Sequence, residues 1–325
     1  MKILKNTGKI LLFLFLLAVF LSFLSSLTVP QPMTHIPQKD WIDPRDLGAA
    51  GIISEKENTI DIVITGDSES FTAISPYRLW EKQKITSYVC GQSAQHTAEA
   101  YYLLKRSFRL QNPKLVILET DELFTCAGLK GESELAVTEA MKSHFPVLTY
   151  HNRWKEAAGL SEQLQMPQDE TSYKGFQIRK SACPYEGKKY MEPAENAAKI
   201  SLPVRFYLEK IQELCRRENC GLLLLGVPSP KNWNTEKHNG TAQCAEELGI
   251  PFLDLNCMTE EIGIDWQKDS YDGGDHLNLS GAEKVTDYLG KYLRDNYHFR
   301  ENYSDETLRR WNAGMKKYQD AAASV

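Results

Sequence analysis

Ile60-Asp61-Ile62-Val63-Ile64-Thr65-Gly66-Asp67-Ser68-Glu69-Ser70 reads as a short strand running into a tight turn. Its first six residues are mostly β-branched and free of Gly and Pro, the composition of a buried strand. Gly66 then permits a close or left-handed backbone, so Ser68 is expected in a turn at the strand's carboxyl end, ahead of a helix whose first amides point nearby. Similar apolar runs recur at 85–89, 114–119, 221–227 and 251–255, and segments with helical spacing occupy 94–110, 204–217, 235–248 and 280–297. Strands alternating with helices imply an α/β fold: a mostly parallel sheet between two helical layers. Ligands bind such sheets at the carboxyl ends of the strands, which is where Ser68 falls.

Near the other end of the chain, Tyr271-Asp272-Gly273-Gly274-Asp275-His276-Leu277-Asn278-Leu279-Ser280-Gly281 precedes the last strongly periodic helix. A serine hydroxyl is a poor nucleophile until a base takes its proton. Histidine suits that role near neutral pH, and an adjacent carboxylate fixes its tautomer. His276 is therefore the candidate base, with Asp272 and Asp275 both placed to orient it. Chain order is no obstacle, because such triads are assembled in space. The plainer reading is that Ser68 is only a helix cap, 272–274 form a turn, Ser280 caps the final helix and His276 is merely exposed.

The strand ending in Gly66-Asp67-Ser68, Tyr88-Val89-Cys90-Gly91-Gln92-Ser93, Leu115-Val116-Ile117-Leu118-Glu119-Thr120-Asp121 and the Asp-His-Leu-Asn before the terminal helix together resemble the SGNH/GDSL hydrolase superfamily, over about 60–297. The resemblance implies a flavodoxin-like three-layer α/β/α domain with Ser68 as nucleophile, Gly91 as a backbone oxyanion donor and His276 as base. Within the superfamily, the membrane-anchored layout and the Tyr150-His151-Asn152-Arg153-Trp154 segment are similar to a bacterial envelope group that includes alginate acetylation proteins and the D-alanyl-lipoteichoic acid protein DltD.

The sequence departs from the superfamily pattern twice. Many members carry Asp three residues before the His, where this chain has Gly273; Asp272 is favoured over Asp275, since an extra glycine can bulge the loop. The block III asparagine is replaced by Asp121, whose charge at about 4 Å would oppose an oxyanion by roughly 4 kcal/mol, about a thousandfold in rate. Asp121 is thus expected to be protonated, turned away, or replaced as donor by Gln92 or Thr120, and the pocket is suited to an amino-bearing acyl group.

Lys2, Lys5 and Lys9 precede an apolar run at 10–27 that reads as a transmembrane anchor at 10–28, with 1–9 cytoplasmic and the main domain outside the cell membrane. A cleaved signal peptide is the competing reading. The Pro-containing 29–57 stretch reads as a linker, 58–325 as the hydrolase-like domain, and the polar, aromatic 127–199 interval as an inserted cap in which His151, Arg153 and Trp154 could bind substrate. Trp233 and His238 could rim the site, and 305–325 reads as an amphipathic helix with a frayed end. A net charge of −5 and no basic stripe argue against nucleic acid as a partner. The seven cysteines form no C-x-x-C pair, so no metal site, redox motif or cofactor is indicated, and the odd count leaves at least one thiol unpaired.

Function follows as serine-dependent acyl-ester hydrolysis or O-acyl transfer through an acyl-serine, on an envelope polysaccharide or teichoic acid. A membrane tether favours transfer, because it concentrates the enzyme near donor and polymer, and the resemblance implies a membrane-bound O-acyltransferase as partner. A deacetylating carbohydrate esterase and a catalytically weak binding or assembly module are the alternatives.

Overall fold

The computed structural model describes residues 2–28, 51–151 and 173–324, and its centre is one five-stranded, wholly parallel sheet. The strands are β1 (Ile62–Thr65), β2 (Ser87–Val89), β3 (Leu115–Glu119), β4 (Gly221–Gly226) and β5 (Phe252–Asp254), in the order β2-β1-β3-β4-β5. Register is set by pairs such as Ile64 with Ile117 and Leu118 with Leu224. The strands are buried on both faces, which explains their unbroken apolar runs. The five sequence-read strands are all present, trimmed by a residue or two at their ends.

Alternate strand residues feed two cores. Val63, Val116, Leu222 and Leu224 pack on one side with α4 (Thr97–Ser107), α7 (Leu202–Arg217) and α8 (Thr235–Leu248). Ile62, Ile64, Leu115, Ile117, Leu223 and Leu225 pack on the other with α2 (Ser68–Ala73) and α10 (Leu279–Asn296). The remaining helices are α1 (Lys2–Thr28), α3 (Pro76–Gln83), α5 (Gly128–His144), α6 (Val147–Tyr150), α9 (Thr259–Ile262) and α11 (Asp305–Ala323). Helix α8 matches its sequence-read limits because both ends are coded locally: the Asn234 side chain accepts from Lys237 N–H, and Gly249 takes the left-handed C-cap.

Three features differ from the sequence reading or refine it. Packing of the domain reaches N-terminal of Asn58, because Ile52 joins the core and buried Glu55 pairs with Lys174 at 2.6 Å. The last helix packs on the domain: Trp311 is buried against Trp80 and Tyr77, and Tyr318 is buried beside it. The interval after β3 carries two helices of its own, α5 and α6, the first packed along α4. Helix α1 is long and apolar enough to cross a membrane over Asn6–Thr28. Its C-terminal turn meets α6, where Ser25 Oγ accepts from Val147 N–H at 3.2 Å.

The order β2-β1-β3 sends the chain first to one side of β1 and then to the other. In such sheets the ligand crevice falls where those connections part, here at the carboxyl ends of β1 and β3. Ser68 and Asp121 flank it.

Candidate active site

Ser68 is the first residue of α2 and half-buried. Asp67 caps the helix, its side chain accepting from Glu69 N–H at 3.2 Å, and its carbonyl accepts from Ser70 Oγ at 2.7 Å. The loop after β2 braces this turn: Gln92 N–H donates to the Gly66 carbonyl at 3.0 Å. Gly91 lies so close that a Cβ there would sit 1.9 Å from Ser70 Oγ. Gln92, a candidate oxyanion donor, has its backbone N–H on the Gly66 carbonyl and its Oε1 accepting from Gln95 at 2.9 Å.

His276 comes from the loop between α9 and α10. That loop folds back on itself, with Ser270 bridging Leu277 and Tyr271 N–H donating to the His276 carbonyl at 2.9 Å. Gly273 and Gly274 both take positive φ, 76° and 98°, and form the bulge at its tip. The bulge lets Asp272 turn inward. One of its oxygens accepts from His276 N–H at 2.8 Å and the other meets His276 Nδ1 at 2.6 Å. Asp275 stands 3.7 Å from the same nitrogen and is engaged elsewhere, accepting from Asn232 Nδ2 at 2.6 Å. Burial raises the Asp272 pKa, but its hydrogen bonds from His276 prevail and hold the carboxyl below its ordinary range. Nδ1 being engaged, His276 Nε2 is buried and has no hydrogen-bond partner among the described residues. That nitrogen is the one left to exchange a proton.

The two halves meet at Glu69, which the sequence reading passed over. Ser68 Oγ donates to Glu69 Oε2 at 3.4 Å, and Glu69 Oε1 accepts a short hydrogen bond from Asn232 Nδ2. Glu69, Asp275 and His276 each place a ligating atom within 4.8 Å of the others. The Glu69 carboxylate therefore borders both the candidate nucleophile and the candidate base. Asn232 follows the turn after β4, and nothing in its local sequence marks it.

Asp121 begins a short 3-10 helix after β3 and forms an ion pair with Lys237 of α8 at 2.5 Å. Burial pushes the Asp121 carboxyl up and Lys237 pulls it down, with a net rise. Lys237 Nζ also donates to the Asn232 carbonyl at 2.6 Å and lies 5.2 Å from the centre of the Phe124 ring. The repulsion expected from an unneutralised Asp121 is thus offset by a lysine that follows the next strand, β4. Behind Asp121, burial first and Glu69 second raise Glu119 well above the usual carboxylate range; burial and then Glu119 do the same for Asp67. Asp67, Glu69 and Glu119 form an acidic cluster behind Ser68, each with a carboxylate oxygen within 4.8 Å of the others.

His151 is exposed beyond α6, its Nδ1 3.4 Å from the Leu148 carbonyl; it makes no described contact with Ser68, Asp272 or His276. Arg153 and Trp154 lie outside the described residues. Trp233 is buried, donating from Nε1 to Asp254 at 2.9 Å, and packs edge-on against Phe124, so it belongs to the wall of the fold and not to a loose rim. None of the seven cysteines is joined in a disulfide.

No family model and no curated protein matches the sequence. Among solved structures, the chain is similar to a lipolytic protein of the G-D-S-L family from Desulfitobacterium hafniense (14% identity, 72% of this chain and 99% of that one, TM-score 0.37). It is also similar to the lipase/acylhydrolase from Enterococcus faecalis (11% identity, 75% and 100%, TM-score 0.40). A third is the family 3 carbohydrate esterase from Clostridium thermocellum (12% identity, 73% and 96%, TM-score 0.36).

Proposed function

We propose that this chain is a membrane-anchored serine hydrolase or O-acyltransferase of the cell envelope, with Ser68 as nucleophile, His276 as base and Asp272 as the residue that orients it. The observation that carries the reading is the 2.6 Å Asp272–His276 contact, which leaves Nε2 buried and unpartnered in the crevice where Ser68 sits. In that arrangement Ser68 Oγ attacks an ester carbonyl carbon while its proton passes to Nε2. The tetrahedral intermediate collapses, the ester C–O bond breaks, and Nε2 returns the proton to the departing alkoxide. Water, or a polymer hydroxyl, then attacks the acyl-serine by the same route in reverse.

Before attack, the Ser68 hydroxyl has to leave Glu69. A 3.4 Å hydrogen bond is long and weak, so that rotation costs little. Oxyanion donors in this reading are the N–H of Ser68, which as the first helical residue has no intrahelical partner, and that of Gly91. Asp121, held by Lys237, is excluded from that role. The carboxylates of Glu69, Asp272 and Asp275 suit an acyl group that carries an ammonium.

The contact between Ser25 and Val147 supports retention of α1 as an anchor, since a helix removed as a signal would not be packed against the domain. Anchoring favours transfer to an envelope glycan or teichoic acid, with a membrane-bound O-acyltransferase as donor partner.

Labelling of full-length protein in detergent by a fluorophosphonate, read by intact mass, tests the triad. The wild type is expected to gain one adduct, and Ser68→Ala and His276→Ala to gain none. A folded wild type that never labels would favour the second reading, a binding or assembly module, which the Ser68–Glu69 hydrogen bond also fits. Release of free acid with no transfer to added glycan would favour a deacetylating esterase.

A further inference from the structure

A second cluster of donor groups lies at the carboxyl end of β5 and shares no residue with the triad. His238 projects from α8, Asp254 ends β5, and Cys257 lies in the 3-10 helix Leu255–Met258. His238 Nδ1 is 2.6 Å from Asp254 Oδ2, Cys257 Sγ is 3.7 Å from that nitrogen, and the same sulfur is 3.8 Å from Asp254 Oδ2. We propose that His238, Asp254 and Cys257 form a binding site for a divalent transition-metal ion, zinc being the ion that this donor set suits.

Bond lengths make the geometric argument. A tetrahedral zinc holds N and O at about 2.0–2.1 Å and S at about 2.3 Å, which places its donors about 3.3–3.6 Å apart. The two edges that involve sulfur, 3.7 and 3.8 Å, already lie within a few tenths of an ångström of that spacing. The third edge, at 2.6 Å, is a hydrogen bond, and the ion takes the place of its proton. One imidazole nitrogen, one carboxylate oxygen and one thiolate form a mixed set that favours zinc over magnesium or calcium, which take oxygen alone.

The surroundings are those of a prepared site. Asp254 is buried and cannot swing away: Trp233 Nε1 donates to Oδ2 at 2.9 Å, and Asn256 donates to Oδ1 from N and Nδ2 at 2.9 and 2.8 Å. Such outer hydrogen bonds orient a ligating carboxylate. The imidazole rests beside the Phe252 ring, 5.6 Å between centroids. Cys257 is exposed, so the ion has a route in and a fourth position open to water. The Tyr190 hydroxyl, buried and without a hydrogen-bond partner among the described residues, lies within electrostatic range of Asp254 and Cys257 and is a fitting partner for that water. Bound there, an ion would tie the first turns of α8 to the end of β5, and α8 carries Lys237 at the adjacent position.

Full-length protein in detergent micelles, reduced and stripped with a chelator, is titrated with zinc chloride and separately with cobalt chloride. One ion per chain is expected, with a thiolate-to-cobalt charge-transfer band and release of the Nδ1 and thiol protons, seen as an enthalpy that depends on buffer. Zinc should protect Cys257 from iodoacetamide. Cys257→Ala and His238→Ala should each weaken binding by about a hundredfold and abolish the band or the protection. Near-UV circular dichroism identifies a variant that has misfolded, and Cys257→Ser, the most conservative change, stands in if the alanine variant does. Binding that is unchanged in both variants overturns the proposal, as does a site lost in His276→Ala but kept in His238→Ala. Zinc that leaves alkylation of Cys257 unaffected also overturns it.

Discussion

Replacing Asp272 by Asn, with Asp275→Asn as its control, separates the two carboxylates that flank His276. Asp272 makes two hydrogen bonds to that residue, at 2.6 Å to Nδ1 and 2.8 Å to the backbone N–H, whereas Asp275 comes no closer than 3.7 Å. A carboxylate and an imidazolium with charge centres about 4 Å apart interact by roughly 4 kcal/mol at an effective dielectric of about 20. The two side chains are 20% and 32% exposed, so solvent leaves about half of that, roughly 2 kcal/mol. Loss of the ring's orientation and tautomer adds a similar amount. Asp272→Asn should therefore lower kcat/KM for a nitrophenyl ester by about a thousandfold, or roughly 4 kcal/mol. Asp275→Asn should lower it by less than about tenfold, since only an Asn232 contact is disturbed. Rates are measured on full-length protein in detergent, with the fluorophosphonate labelling rate as a probe of the nucleophile alone. Equal losses in the two variants, or an Asp272→Asn enzyme within tenfold of wild type, would refute the assignment.

Lys237→Met leaves the Asp121 carboxylate without its counter-charge and should cost about 2–3 kcal/mol in urea unfolding, most of it recovered by adding Asp121→Asn. Because the folded-state pKa of buried Glu119 is raised, the folded chain holds a proton that the unfolded chain releases, and wild-type stability falls as pH rises between the two values. Glu119→Gln should accordingly be more stable than wild type by about 1–2 kcal/mol at the alkaline end of that window, with the gain vanishing in acid; thermal melts across pH test this. Trp311→Ala, which empties the contact of α11 with Trp80 and Tyr77, should lose about 3–5 kcal/mol, whereas a peripheral helix would lose under one.

Much of the architecture was legible along the chain because strands and helices are specified by neighbours. The Ile62–Thr65 run, the Asn234 cap and the left-handed Gly249 are all local signals, and the elements they mark lie where the sequence puts them. Ser68 at a strand end and His276 before the last helix were visible for the same reason. Periodicity also implied two helical layers, and the two apolar clusters divide the strand residues alternately between them.

The surroundings of those two residues were not legible. Whether Asp272 or Asp275 reaches Nδ1 depends on backbone angles at Gly273 and Gly274, which the residue types permit and do not dictate. Glu69 and Asn232 touch across 163 positions of sequence, and Lys237 reaches Asp121 across 116. The set of His238, Asp254 and Cys257 has no motif spacing because its members come from three different elements that the sheet order places side by side. By itself, then, the sequence determined the α/β alternation, the apolar N-terminal helix and two residues with the chemistry of a nucleophile and its base, since each depends on contacts within a few positions. Only the tertiary structure decided which carboxylate holds the imidazole, what neutralises Asp121 and what lies between Ser68 and His276. Those are Coulombic and hydrogen-bonding questions, answered by distances of a few ångströms between groups far apart in the chain.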